Sequence, residues 1–223
     1  MKAATNIAKG GLLAGLLLSA ASAQAQLYFH FEETAGGDVT MTASGSIDTN
    51  DLTPVAPESW GGIGIEENGE TDIMGDTASG STDAHFGFSA GTDYSAWDAP
   101  TGPFASSNFN WTSTATRSFH IYTREGGERV PGLGVVQADL VGGVWTPDAT
   151  WTQTDTDLAT VGLIPGTYTV VDASSGAFIT IQVGGELPPP PVTEAVPVPT
   201  LPLWGLLALA GLFGFAGARR LRG

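Results

Sequence analysis

The chain has 223 residues, no cysteine, and 23 acidic against eight basic side chains, which gives a formal net charge of −15. The absence of cysteine excludes a disulfide framework and thiol chemistry, so an exported domain must be held together by core packing alone. The acidic balance excludes the positive surface that a nucleic-acid or anionic-lipid binder needs, and we expect no nucleic-acid partner.

Residues 1–25 have the three parts of a secretory signal peptide. Two lysines precede a short apolar run at 11–18, and small residues end the segment at Ala23 and Ala25. This ending predicts a signal helix that is cleaved after Ala25. The competing interpretation, an uncleaved anchor, is disfavoured because the apolar run is too short to span a bilayer.

After the leader, apolar and polar side chains alternate as they do in a half-buried strand. Leu27, Phe29 and Phe31 fall on one face, and a turn at 35–38 precedes a second alternating run at 39–44. We therefore predict an opening β-hairpin whose one face is buried. The same pattern predicts further strands at 63–65, 73–74, 118–123 and 135–144, and a closing hairpin at 167–171 and 177–183.

Outside the two ends, the chain has no convincing helical periodicity. At most one helical turn is expected at 157–163, where Pro165 ends it. A body of roughly 160 residues is large enough to bury a core. We predict that residues 26–185 form an all-β domain, an antiparallel β-sandwich or jelly roll, with the first and last hairpins supplying much of one sheet.

Two features of the sequence are candidates for catalytic groups. Residues 87–91 match the G-x-S-x-G pattern of a nucleophile elbow, with Ser89 at its centre. An elbow needs a helix after the serine, and residues 92–95 predict none, so a glycine-rich loop is favoured. His120 alternates with apolar neighbours, which favours an exposed or hydrogen-bonded strand histidine over a general base. The histidines are also too scattered in sequence to form a recognisable zinc pattern.

Carboxylates lie close together in three places and raise the possibility of calcium, which takes six to eight oxygen ligands. The candidate groups are Asp155 with Asp157, Asp72 with Asp76, and Glu66 and Glu67 with Glu70 and Asp72. None has the spacing of an EF-hand or of a nonapeptide β-helix repeat. A solvated acidic surface is favoured, calcium is the alternative, and no other cofactor is predicted.

Five tryptophans fall in the body of the chain: Trp60, Trp97, Trp111, Trp145 and Trp151. Tryptophans on an exposed sheet face can stack on sugar rings, although core and turn positions are commoner. An exposed, coplanar row of these rings would indicate a carbohydrate-binding module and extracellular polysaccharide as its partner.

The C-terminal end has the composition of a membrane segment on a stalk. Residues 186–197 are rich in proline, which predicts an extended spacer. Residues 201–218 form an uncharged apolar run of 18 residues. As a helix this run reaches roughly 27 Å, just short of a hydrocarbon core of about 30 Å. We predict a transmembrane helix whose C-terminal end stays cytoplasmic because of Arg219, Arg220 and Arg222.

A sequence motif stands before this run: Val198-Pro199-Thr200-Leu201 followed by Trp204-Gly205. With the apolar run and the arginines, it resembles the IPTL-CTERM sorting signal, a relative of the PEP-CTERM signals that exosortases handle in Gram-negative bacteria. Val198 stands where the family usually has isoleucine, and no Pro-Glu-Pro is present. The resemblance implies that residues 198–223 hold the protein in the inner membrane in transit. A membrane-embedded cysteine transpeptidase of exosortase type then cleaves near the motif, and the body passes to the cell surface or extracellular matrix.

Two short segments of the body, 27–33 and 162–168, resemble strands of many PEP-CTERM surface proteins, which implies a secreted β domain but supplies no catalytic residue. Once both ends are removed, three basic residues face 23 acids, a formal net charge of −20. We expect an exported surface or matrix protein that is structural or adhesive and not an enzyme. The alternatives are a carbohydrate-binding module and, less favoured, a secreted hydrolase.

Overall fold

The computed structural model of the chain describes residues 26–56, 62–67, 71–76, 82–98, 100–114, 118–123 and 132–188. The predicted cleavage site at Ala23 and Ala25, most of the stalk, and the sorting signal with its transmembrane segment at 198–223 lie outside these residues. Among the residues that are described, no helix is long and apolar enough to cross a membrane.

Strands dominate the described residues, as the alternating pattern predicts. The strands are β1 (Gln26–Glu33), β2 (Val39–Asp48), β3 (Thr53–Pro54), β4 (Gly62–Glu67), β5 (Thr71–Asp76), β6 (Ala84–Gly87), β7 (Thr112–Ser113), β8 (Phe119–Tyr122), β9 (Gly132–Val135), β10 (Val144–Trp145), β11 (Thr150–Gln153), β12 (Gly166–Val171) and β13 (Phe178–Val183). One α-helical turn, α1 (Leu158–Val161), and two 3-10 turns, Thr49–Asp51 and Gln137–Asp139, complete the described part.

The first sheet has seven strands in the order β12-β13-β1-β2-β11-β7, with β10 also paired to β2. The opening hairpin β1–β2 and the closing hairpin β12–β13 lie side by side in it, so the expectation that these hairpins build much of one sheet is confirmed. The expectation of a wholly antiparallel sheet is wrong at one pair. Strands β1 and β13 run parallel, with Gln26 opposite Phe178 and Phe31 opposite Val183.

This parallel pairing follows from the topology. Each hairpin is antiparallel within itself, and the two hairpins meet through the first strand of one and the second strand of the other. The long chain between them supplies the crossover that parallel neighbours need. As a result, β1 begins at one end of the sheet and β13 ends at the opposite end.

The second sheet has six strands in the order β3-β6-β9-β8-β5-β4. Its hairpin β4–β5 pairs Glu67 with Thr71, which confirms the two strands expected around 63–65 and 73–74. A continuous strand over 135–144 was expected and is not formed. Strand β9 ends at Val135, a 3-10 turn follows, and β10 begins only at Val144.

The two sheets share one core, which makes the domain a two-layer β structure. Leu27, Phe29 and Phe31 are each 0% exposed, as the alternation of β1 predicts. The Phe29 ring stacks on Phe119 of the second sheet at 5.6 Å between centroids. Gly75 leaves room for that ring, since a Cβ at this position would lie 2.1 Å from a Phe119 ring carbon. Burial of such apolar surface is the main favourable term in folding, and no disulfide supplements it.

The predicted helical turn is confirmed as α1. Asp157 precedes it in an extended conformation, and its side chain accepts a hydrogen bond from the Thr160 N–H, which is the usual N-cap arrangement. Gly162 ends the turn in the left-handed conformation at φ 90°, which suits glycine.

Candidate functional site

The described tryptophans are core residues. Trp97 and Trp151 are 0% exposed, Trp145 is 1% exposed and Trp111 is 6% exposed, while Trp60 lies outside the described residues. Trp97 donates its Nε1–H to the Tyr168 carbonyl at 3.0 Å, which fastens the loop after β6 to strand β12. These four rings therefore form no exposed row for stacking on a sugar.

Ser89 is part of a turn network. Its N–H donates to an Asp172 carboxylate oxygen, and its hydroxyl oxygen accepts the Ser174 N–H at 3.1 Å. Turn residues follow it, and Gly91 has φ 90°. A nucleophile elbow needs a helix at this point, so the serine is held as in the glycine-rich loop favoured above. The hydroxyl joins the loop after β6 to the β12–β13 turn.

Two histidines that are far apart in sequence meet across the second sheet. His85 on β6 and His120 on β8 both pair with Gly134 of the strand between them. The His85 ring lies over that glycine, since a Cβ there would be 2.7 Å from the ring carbon Cε1. Tyr122 lies on the same face as His120, with ring centroids 4.6 Å apart.

This histidine cluster, His85, His120 and Tyr122, lies on the side of the second sheet that faces away from Phe119 and Ile121. All three side chains are buried, so of the two alternatives for His120, an exposed or a hydrogen-bonded strand histidine, the exposed one is wrong. Sequence reasoning missed the grouping because the register of three strands, and not a motif, brings the rings together. The one available signal was the alternation of His120 and Tyr122 with apolar neighbours.

The carboxylates considered for calcium are described only in part, since Glu70 lies outside the described residues. Asp72 and Asp76 lie on a strand, β5, and not in a loop as expected. A strand rises about 3.3 Å per residue, so their Cα atoms are about 13 Å apart. Asp72 lies opposite Glu66 on one side and Tyr122 on the other, so the register places two members of the Glu66, Glu67, Glu70 and Asp72 group side by side.

Asp155 and Asp157 lie in the loop before α1. Asp157 caps that helix, as described above, and the Asp155 N–H donates to an Asp38 carboxylate oxygen at 3.1 Å. Neither contact requires a metal. Within the described residues, no group of three or more histidine, aspartate or glutamate side chains is arranged to hold a metal ion.

The described residues contain no lysine or arginine, and many of their carboxylates bond to the backbone. Seven of them accept hydrogen bonds from backbone N–H groups: Glu33, Asp38, Asp48, Asp83, Asp93, Asp157 and Asp172. Such bonds favour the ionised carboxylate and fix the conformation of the loop that supplies the N–H. The acidic composition thus orders the turns of the domain.

The pKa values of three aspartates reflect this arrangement. The Ser95 N–H lowers the pKa of Asp93, and the Thr160 N–H lowers that of Asp157. For Asp172, burial acts to raise the pKa, but hydrogen bonds from Ser89 and Ser175 outweigh it and lower the value to about 2. These carboxylates remain charged at any pH near neutrality.

A cleft of about 430 Å³ lies where the two 3-10 turns meet the second sheet. We call it the end cleft. Leu52, Pro54, Phe86 and Leu140 supply its apolar lining, and Thr49, Asn50, Gln137 and Gly143 supply the rest. No ionisable side chain is among these lining residues. Asn50, Pro54 and Gln137 are exposed, which opens the cleft to solvent.

Backbone and side-chain hydrogen bonds hold both turns of the end cleft. Asn50 donates its Nδ2 hydrogens to Asp48 Oδ1 at 2.8 Å and to the Gly142 carbonyl at 3.0 Å. The Thr49 hydroxyl donates to the Gly143 carbonyl at 2.7 Å. Gly143 has φ 88°, and a Cβ there would lie 2.0 Å from Asn50 Nδ2, so glycine is required for this contact.

On the second turn, the backbone N–H of Gln137 donates to Asp83 Oδ1 at 2.6 Å. This bond does not involve the exposed side-chain amide of Gln137. The end cleft therefore has a fixed wall at Asn50 and an adjustable amide at Gln137. Sequence reasoning missed it because Asn50 and Gln137 are 87 positions apart in the chain and belong to no motif.

Comparison of the chain with protein-family models, with curated proteins and with solved structures finds no match.

Proposed function

We propose that this chain is an exported surface or extracellular-matrix protein with a structural or adhesive role, processed through a C-terminal sorting signal by an exosortase-type enzyme. The observation that carries the proposal is the tail, in which Val198-Pro199-Thr200-Leu201 and Trp204-Gly205 precede an apolar run and three arginines. In this proposal residues 1–25 form a cleaved signal helix and residues 201–218 a transmembrane helix that holds the protein in the inner membrane in transit.

The C-terminal end of the fold supports this processing. Strand β13 ends at Val183, before the proline-rich stalk begins. Cleavage near the motif at 198–201 would therefore leave the last strand whole.

The first and last strands pair in a way that resists stretching between the two ends of the domain. Strand β13 lies between β12 and β1, and its partner β1 runs parallel to it through six residue pairs. Tension applied between the start of β1 and the end of β13 loads all of these pairs together in shear. This geometry resists force better than one in which pairs separate one at a time.

We propose a non-enzymatic role for the β domain. The position of Ser89 in a turn network with Asp172 and Ser174 supports this role over a secreted hydrolase. The carbohydrate-binding alternative receives no support from Trp97, Trp111, Trp145 or Trp151, which are buried.

The proposal is tested by fractionating Gram-negative cells that produce the full chain with and without an exosortase-type enzyme. We expect surface material only when the enzyme is present, and retention in the inner membrane when it is absent. A double variant of the motif, Pro199→Ala with Thr200→Ala, should remain in the membrane, while Pro191→Ala in the stalk should be released normally. Equal release of both variants, or release without the enzyme, would refute processing through this motif.

The orientation of the tail has its own test. Neutral replacements of Arg219, Arg220 and Arg222 remove the positive-inside bias, so retention in the inner membrane should weaken. A C-terminal reporter that stays fully cytoplasmic in this variant would show that the arginines do not set the topology.

A further inference from the structure

We propose that the end cleft is a binding site for a neutral saccharide unit. The inference deepens the proposed function, because it names the class of partner that an exported surface protein would hold. It rests on that function only for the access of the domain to extracellular polysaccharide.

The size and lining of the cleft suit a small ligand. Its volume of about 430 Å³ falls in the range of roughly 300–1,000 Å³ that is usual for ligand sites. Such sites combine an apolar lining with a few placed polar groups. Exposed Pro54 and half-buried Leu140 provide apolar surface, while Leu52 and Phe86 are buried. Asn50 and Gln137 provide amides.

The polar groups match hydroxyl groups. Both Nδ2 hydrogens of Asn50 are used by Asp48 and Gly142, so this residue offers its Oδ1 as an acceptor. The Gln137 side-chain amide offers both a donor and an acceptor. A sugar hydroxyl can donate to the first and exchange hydrogen bonds with the second, while the C–H face of its ring covers the apolar lining. A purely apolar ligand would instead cover these amides without satisfying them, which is costly.

The charges around the end cleft determine whether a neutral or an acidic saccharide is favoured. The cleft lining holds no cationic group, and its two turns are anchored by the carboxylates of Asp48 and Asp83. The turns themselves contain Asp51 and Asp139. This field repels an anion, so an acidic sugar is disfavoured and a neutral one is accepted.

The site is prepared before a ligand arrives. Asn50 is fixed by two hydrogen bonds and by contact with Gly143, so it loses little conformational freedom on binding. Only Gln137 must be ordered, and fewer groups to immobilise means a smaller entropic cost.

The test is a titration of the full-length protein in a detergent without a sugar head group. The probes are neutral tetrasaccharides of glucose, mannose, galactose and N-acetylglucosamine, and tetragalacturonate is the acidic counterpart. We expect saturable binding of at least one neutral probe by calorimetry and weaker binding of tetragalacturonate. Gln137→Ala should weaken binding about fivefold or more, the loss expected for one or two hydrogen bonds.

The matched control is Asn110→Ala, which removes another exposed amide, one that lines a separate groove of about 270 Å³. Its affinity should equal that of the unmodified protein, and both variants should keep the same melting temperature. The proposal is overturned if no neutral probe binds, if tetragalacturonate binds best, or if Asn110→Ala weakens binding as much as Gln137→Ala. Cell fractionation tests the proposed export and processing independently of saccharide binding. If the protein reaches the surface but binds no saccharide, this inference is refuted and the proposed function is not.

Discussion

Truncation of one core phenylalanine tests the two-layer fold most sharply. Phe29 is 0% exposed, lies opposite Ala43 on β2 and Ile181 on β13, and stacks on Phe119 of the second sheet. Phe29→Ala removes one of the rings of the first sheet that pack on Phe119 and leaves a cavity between the layers. Substitutions of this kind cost about 3–5 kcal/mol of the roughly 5–15 kcal/mol that stabilises a domain.

The assay is thermal unfolding followed by circular dichroism. A domain of this size loses about 2–4 °C of melting temperature per kcal/mol, so Phe29→Ala should lower it by about 6–20 °C. Glu32→Ala is the matched control on the same strand, because Glu32 is exposed. That change should cost less than about 0.5 kcal/mol, or about 2 °C. Comparable melting temperatures for the two variants would refute β1 as a core strand.

Three further outcomes are expected. The pKa of Asp172, about 2, lies below its ordinary value of 3.8, so its stabilisation is complete above about pH 5 and is lost as the pH falls towards 2. Asp172→Asn should therefore lower the free energy of unfolding in urea by about 1–2 kcal/mol at pH 7, after solvent screening is allowed for, and by little at pH 2. The same loss of stability at both pH values would contradict this. Gly143→Ala should lower the free energy of unfolding by about 1 kcal/mol or more, because the new Cβ would clash with Asn50. Gly142→Ala is the control: Gly142 also has a positive φ, but a Cβ there would have no neighbour within 4 Å, so the loss should be smaller. Equal losses for the two variants would exclude the clash with Asn50. In single-molecule force spectroscopy, handles at the start of β1 and the end of β13 should give a higher unfolding force than handles on facing residues of β12 and β13, and the reverse order would exclude a shear-resistant pair.

The terminal hairpins were predictable because their physical signal is local. Successive side chains of a strand point to opposite faces, so Leu27, Phe29 and Phe31 of β1 share one face, and this face is buried. The single helical turn was also readable, since Asp157 and Gly162 are typical capping residues. These features depend on a few consecutive residues and need no knowledge of the rest of the chain.

The parallel pair and the candidate site could not be predicted in this way. Whether β13 pairs with β1 or with another strand depends on how whole hairpins dock. The local sequence of neither strand specifies this pairing. His85 and His120 meet through the register of β9, and Asn50 and Gln137 meet through two separate turns. The segment 135–144 was misread because its apolar residues suggest a strand, whereas the Gln137 N–H bonds to Asp83 and helps to hold a 3-10 turn in the middle.

The intact mass of protein recovered from the cell surface tests the central claim most directly. Cells that contain an exosortase-type enzyme should yield a species that begins at Gln26 and ends near the motif at 198–201, without the apolar run. A surface species whose mass still includes residues 206–223 would contradict the proposed processing and would leave the tail as a plain membrane anchor.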